Sequence, residues 1–212
     1  MIHPHLDEIS YLLYTFMIFG VIASSVSGAL RAIEAKMDIT GAILLAFITG
    51  NAGGTVRDLI LGTTVFWITN QFYIWLTFIV GCITFILIYY KREVIGNLFL
   101  HRALITTDAM GLAAFSLAGV EKTLSLGQNY ALAIIMGIWT AIGGGIVGDI
   151  ISNRVPLVLS QELYITVAFV GSISYLVLLS FLPHIIASII AAILMVLLRI
   201  YSVKFNWRFP TI

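Results

Sequence analysis

The sequence predicts an all-α integral membrane protein: seven transmembrane helices, built as an inverted three-plus-three repeat with a seventh helix added at the end. Three observations lead there. The 212 residues are 60% hydrophobic and only 10% charged, with a mean hydropathy of +1.07, whereas a soluble domain carries about 45–50% apolar and about 25% charged residues. Long apolar runs recur along the whole chain. The sequence also matches itself, without gaps, at an offset of 91 residues.

A membrane-crossing helix needs about 20 mostly apolar residues. Seven stretches qualify: 9–30, 41–62, 72–90, 103–121, 130–151, 161–182 and 184–203. None alternates in the manner of a barrel strand. Span 1 is too long for the apolar core of a cleavable signal, and Met1–Ser10 carries no Lys or Arg ahead of it, so it is read as a membrane helix. Span 2 contains Gly50-Asn51-Ala52-Gly53-Gly54 and ends near Arg57 and Asp58. Span 3 closes on Tyr89 and Tyr90, rings that favour the headgroup level, as do Trp67, Tyr73, Tyr201 and Trp207. Span 4 carries Asp108, and span 5 carries Gly143-Gly144-Gly145 followed by Asp149. The whole chain reads as one transmembrane domain, 1–212, with repeats at about 9–90 and 103–182.

Basic residues give an orientation. The tail before span 1 and the 63–71 and 183–184 connections have none, and 122–129 has only Lys122. The other side collects Arg31, Lys36, Lys91, Arg92, Arg102, Arg154, Arg199, Lys204 and Arg208. Positive residues stay inside, so the N-terminus is expected outside and the C-terminus in the cytoplasm of a cell-membrane protein.

The offset places Gly20, Ser25, Gly28, Thr49, Gly53, Gly54, Asp58 and Tyr73 on Gly111, Ser116, Gly119, Thr140, Gly144, Gly145, Asp149 and Tyr164. An odd number of spans per unit turns the second copy over, and inverted repeats are a signature of transport proteins. Glycine pairs weaken a helix interior, so helices 2 and 5 are expected to be broken at Gly53, Gly54, Gly143, Gly144 and Gly145. Broken backbone in lipid survives where it is buried or lines a watery cavity. The spacings Gly50/Gly54 and Gly144/Gly148 equally suit close helix packing. Both readings stay open.

Hydroxyl side chains suited to a weakly held monovalent cation are Ser24, Ser25, Ser27, Thr49, Ser116 and Thr140, although each can instead bond its own helix backbone. Arg57, Asp58, Asp108, Asp149 and Arg154 are charged residues within or beside spans, as gate elements or structural pairs. Candidate pairs are Arg57 with Asp149, Arg154 with Asp58, and Arg102 with Asp108. Asp58 and Asp149 would sit in the first turn of a restarted helix. The net charge of +1 excludes a nucleic-acid partner, and Cys82 has no second thiol. His3, His5, His101 and His184 show no metal-ligand spacing, so no metal and no cofactor is expected. No P-loop, HExxH or GxSxG occurs, and Asp58 with Asp149 lacks the motifs of an intramembrane aspartyl protease. The chain is not expected to be an enzyme.

The stretches GNAGGTVRD at 50–58, TDAMGLAAFSLAG at 107–119 and GGGIVGDIISNRVP at 143–156 resemble the prokaryotic TRIC family of trimeric intracellular cation channels. The resemblance covers essentially the whole chain. It implies a homotrimer with a potassium- and sodium-permeable pore in each protomer, lined by kinked helices 2 and 5 and so by Gly53, Gly54 and Gly143–Gly145. Animal members bind a phosphoinositide lipid, so bound lipid is conceivable here. Their basic motif on helix 2 is not evident around Ala52–Asp58, and their helix-4 lysine has no counterpart within Ala103–Gly119. Bacterial sequences of this type are also described as glycine transporters. A carrier of a small zwitterion using the same glycine-rich helices is therefore the alternative.

Overall fold

A computed structural model describes residues 4–90, 96–160 and 163–207. The basic residues Lys91, Arg92 and Arg208 and the segment Met1–His3 lie outside the described residues. The chain forms α1 (Pro4–Glu34), α2 (Ile39–Ile60), α3 (Phe66–Thr69), α4 (Phe72–Tyr90), α5 (Asn97–Ser125), α6 (Tyr130–Ile151), α7 (Leu157–Ser160), α8 (Tyr164–Leu178) and α9 (His184–Lys204). Six of these are long and apolar enough to cross a membrane: α1, α2, α4, α5, α6 and α9.

The 91-residue repeat survives in detail. Adding 91 to the bounds of α2 and of α3 lands on those of α6 and α7. The caps repeat as well. Asp38 Oδ1 accepts from the Gly41 amide at 2.8 Å, and its counterpart Asn129 accepts from the Leu132 amide at 2.9 Å, each satisfying an otherwise orphan N–H of the first turn. The stop after α2 is Gly62 at φ 67°, and the equivalent Asn153 takes φ 54°. Glycine and asparagine are the residues that enter this left-handed region at low cost.

Two expectations are corrected. The sixth span, expected at 161–182, is the 15-residue α8, which is shorter than the other candidate spans. The stretch before it is used by α7 and by Leu163, whose φ is 43°. The expected breaks at glycine are also absent as unwound turns: α2 and α6 are each continuous α-helices through their glycine clusters.

Packing explains why. α1 and α5 lie at the centre, α1 packing on α2 and α5 on α6, while α2 and α6 meet each other. α9 rests on α5 and α8. Buried Met17, Val21, Leu112, Phe115 and Leu117 form much of the shared core. Trp75, Phe78, Ile79 and Ile83 of α4, with Ile186, Ile189, Ile190 and Ile193 of α9, stay exposed. In a membrane helix such faces meet lipid.

Candidate functional site

The site is built where α2 crosses α6. A Cβ added at Gly53 would stand 2.1 Å from the Thr140 carbonyl oxygen, and one at Gly144 would stand 2.1 Å from the Thr49 carbonyl oxygen. One at Gly143 would meet the Gly53 Cα at 2.9 Å. These three glycines let two backbones touch, the packing role of small residues in membrane helices. Gly54 and Gly145 face elsewhere. A Cβ at Gly54 would meet the Phe66 ring at 2.6 Å, whereas one at Gly145 would have Arg31 and Tyr164 no closer than 3.7 Å.

The acids occupy equivalent places at opposite ends. Asp58 stands in the last turn of α2, and Asp149 in the last turn of α6. Asp58 Oδ2 accepts from the Phe66 amide at 2.9 Å, and Asp149 Oδ2 accepts from the Leu157 amide at 3.0 Å. Each acid therefore ties the end of a long helix to the start of the short helix after it. Neither sits in the first turn of a restarted helix.

The cations are arranged otherwise than expected. Arg57 pairs with its neighbour Asp58, Nη2 to Oδ1 at 2.7 Å and Nε to Oδ1 at 2.8 Å, and not with Asp149. Its Nη1 points to the Met17 sulfur at 3.3 Å, and its guanidinium lies 5.9 Å from the Phe66 ring centre. The residue equivalent to Arg57 is Gly148, so α6 brings no cation of its own. Arg31 of α1 fills that place: its Nη2 meets Asp108 Oδ1 at 2.7 Å and its Nε lies 3.0 Å from Asp149 Oδ1. Asp108 thus pairs with Arg31 rather than Arg102, and it stands where the first repeat has Met17. Arg154 pairs with Glu34 at 2.7 Å instead of Asp58. These partners were missed because they join helices through the packing, with 77 residues separating Arg31 from Asp108.

Arg31 and Arg199 entered the sequence reading as interfacial charges. Both are buried, each only 1% exposed. Arg199 lies 4.5 Å over the ring of Tyr164, joining α9 to this end of the bundle. Between Arg31, Gly145, Asp149, Leu157 and Tyr164 lies a narrow space with no room for a water molecule.

The hydroxyls divide. Thr140 donates to the Met136 carbonyl at 2.6 Å, and Ser116 bonds Ser172 at 2.9 Å. Ser24 faces Gly111 across the α1–α5 contact. Ser25, Ser27 and Thr49 are buried with hydroxyls that bond no protein group. Thr49 Oγ1 and Arg31 Nη1, also without a hydrogen bond, both adjoin Gly148. A second buried acid, Glu121, accepts from the Tyr175 hydroxyl and lies 3.4 Å from His184 Nδ1, tying α5 to α8 and α9 away from the α2–α6 crossing. Nothing in its sequence context marked it. Among the described residues no group of three His, Cys, Asp or Glu side chains could share a metal ion.

A family model described as Glycine transporter matches the chain twice, over residues 14–89 and 105–180. The two matches are themselves 91 residues apart, one per repeat. The chain is 35% identical over 202 residues to a UPF0126 membrane protein of Vibrio cholerae, covering 94% of this chain and 82% of that one. It is 29% identical over 203 residues to the UPF0126 inner membrane protein YadS of Escherichia coli, covering 94% and 96%. Among solved structures it resembles a TRIC trimeric intracellular cation channel orthologue from Rhodobacter sphaeroides, at 33% identity and a TM-score of 0.82, covering 91% and 97%. It also resembles a prokaryotic TRIC channel crystallised in potassium chloride, at 28% identity and a TM-score of 0.84, covering 94% and 100%.

Proposed function

The chain belongs to the prokaryotic TRIC family, to which the Glycine transporter family model corresponds, and from that premise we propose that it is a potassium- and sodium-permeable channel. Each protomer of a homotrimer carries its own path, along the α2–α6 crossing. The protein lies in the inner membrane with its N-terminus outside. The relatives are described as trimeric cation channels, and one is named an inner membrane protein. The similar solved structures named above are described as channels.

One observation carries the reading. Buried charge inside a membrane bundle is costly and faces an interior path or a partner. Here two Arg–Asp clusters stand at opposite ends of one pair of crossing helices, with the unbonded hydroxyls of Ser25 beside Gly50 and of Thr49 beside Gly148. Such oxygens replace hydration water around a weakly bound monovalent cation. At the Arg31 end, displacement of the guanidinium exposes the Asp108 and Asp149 carboxylates, of the sign that attracts cations.

A second reading has its own support. Two closures at opposite ends of a pseudo-symmetric site are what alternating access requires, and the family description names glycine. Potassium flux from liposomes holding the purified protein, measured with and without glycine, separates the two. Rapid glycine-independent potassium flux supports the channel. Saturable glycine uptake without it assigns the same helices to a carrier.

A further inference from the structure

We propose that the two charge clusters have different roles: Asp108 and Asp149 are the cation-selecting acids, Arg31 is the residue that covers them, and Arg57–Asp58 is a fixed brace. This assignment rests on the channel reading and adds the position of its gate.

The inverted repeat makes the comparison direct, because every difference between the two ends is a departure from symmetry. At the first end, Arg57 and Asp58 are consecutive residues of α2 and move together. One acid meets one base, and the third partner is the uncharged Met17. Every polar atom of that pair has a hydrogen-bond partner or some exposure. Opening a path there would not separate the two charges, since no relative movement of helices pulls them apart.

At the second end, Arg31 reaches from α1 to Asp108 on α5 and to Asp149 on α6. Two acids meet this guanidinium, and three helices are held by it. Sliding of α1 against α5 or α6 parts these charges without breaking any helix. The cluster is also incompletely satisfied. Arg31 Nη1 is buried without a hydrogen bond, and Thr49 Oγ1, which like it adjoins Gly148, is bare as well. Unpaired buried polar groups are costly, so this end gains from hydration once Arg31 moves aside. Gly145 and Gly148 flank the guanidinium, and a Cβ at Gly145 would stand in ordinary contact with it at 3.7 Å. When Arg31 withdraws, Asp108 and Asp149 are left facing the space it vacated, a pair of carboxylates that admits cations and repels anions.

Single-channel recording on the full-length protein in planar bilayers, in unequal potassium chloride, tests this with wild type, Asp108→Asn, Asp108→Glu and Asp58→Asn. Asp108→Asn removes one anchor of Arg31 and one selecting charge. Its open probability should rise on the order of tenfold, as expected for loss of a charged hydrogen bond, while its reversal potential moves toward that of chloride. Asp108→Glu keeps the charge and should keep the wild-type reversal potential. Asp58→Asn should leave reversal potential and open probability at wild-type values. Wild-type currents that Asp108→Asn leaves unaltered overturn the assignment, as does an Asp58→Asn shift of equal size. Should Asp108→Asn fail to assemble, Asp149→Asn takes its place, with the same shift expected and the same lack of change overturning it. Absence of unitary currents from wild type overturns the channel reading and this assignment with it.

Discussion

Replacing Gly53 or Gly144 by alanine drives a methyl group to 2.1 Å from a backbone carbonyl of the facing helix. A carbonyl in a helix cannot rotate away, so the helices must part. Overpacking of this kind costs about 1–3 kcal/mol, and each variant should show a lower thermal midpoint in detergent. Gly145→Ala meets nothing closer than 3.7 Å and should unfold with wild type. Gly145→Leu extends past that contact against Arg31 and Tyr164, and it should abolish potassium flux while the oligomer stays intact on size exclusion. Conduction at the wild-type level by Gly145→Leu would move the path elsewhere. At this scale the sequence identified the glycines and acids as special, because their spacing recurs at 91 residues. It did not reveal which glycine faces what. That depends on helix rotation, which a hydrophobic pattern wrapped all round the helix does not fix. Arg31 was legible only as a basic residue near a span end. Its partners become visible only once three helices are brought together.

The elements obey the repeat more closely than their sequences do. α3 and α7 were not anticipated, since four residues are too few for a hydrophobic period to register. Their positions follow from the acids: Asp58 and Asp149 each accept the first amide of the short helix eight residues on. Asp149→Ala removes that acceptor and leaves Arg31 with one partner. Breaking a buried pair costs about 3–5 kcal/mol, so this variant should be among the least stable. Asp149→Asn keeps the amide acceptor and should lose less. The Glu121–Tyr175 bond works at the same scale, fastening α8 to α5. Tyr175→Phe leaves Glu121 short of a donor and should lower stability by about 1–3 kcal/mol, measured as a thermal midpoint, with no change in ion selectivity. A change in selectivity would bring Glu121 into the path. The length of α8 was misjudged because hydropathy continues through Leu179–Leu182, where the backbone turns.

For the whole molecule, composition and the self-match sufficed for the fold class and the inverted repeat. The exposed apolar surfaces of α4 and α9 follow from the same apolar excess. Trimer formation is a prediction at this scale: the detergent-solubilised protein should have three times the 23.3 kDa chain mass by native mass spectrometry, and a monomer would contradict it. What the sequence left open at this scale is whether the path conducts continuously or opens to one side at a time, because both modes use the same pair of crossing helices. The most direct measurement is unitary current from wild-type protein in a planar bilayer, bathed in symmetrical potassium chloride without glycine. A continuous path through the α2–α6 crossing predicts discrete picoampere steps. Silence under these conditions, with glycine uptake in liposomes made from the same preparation, would contradict the channel and leave a carrier.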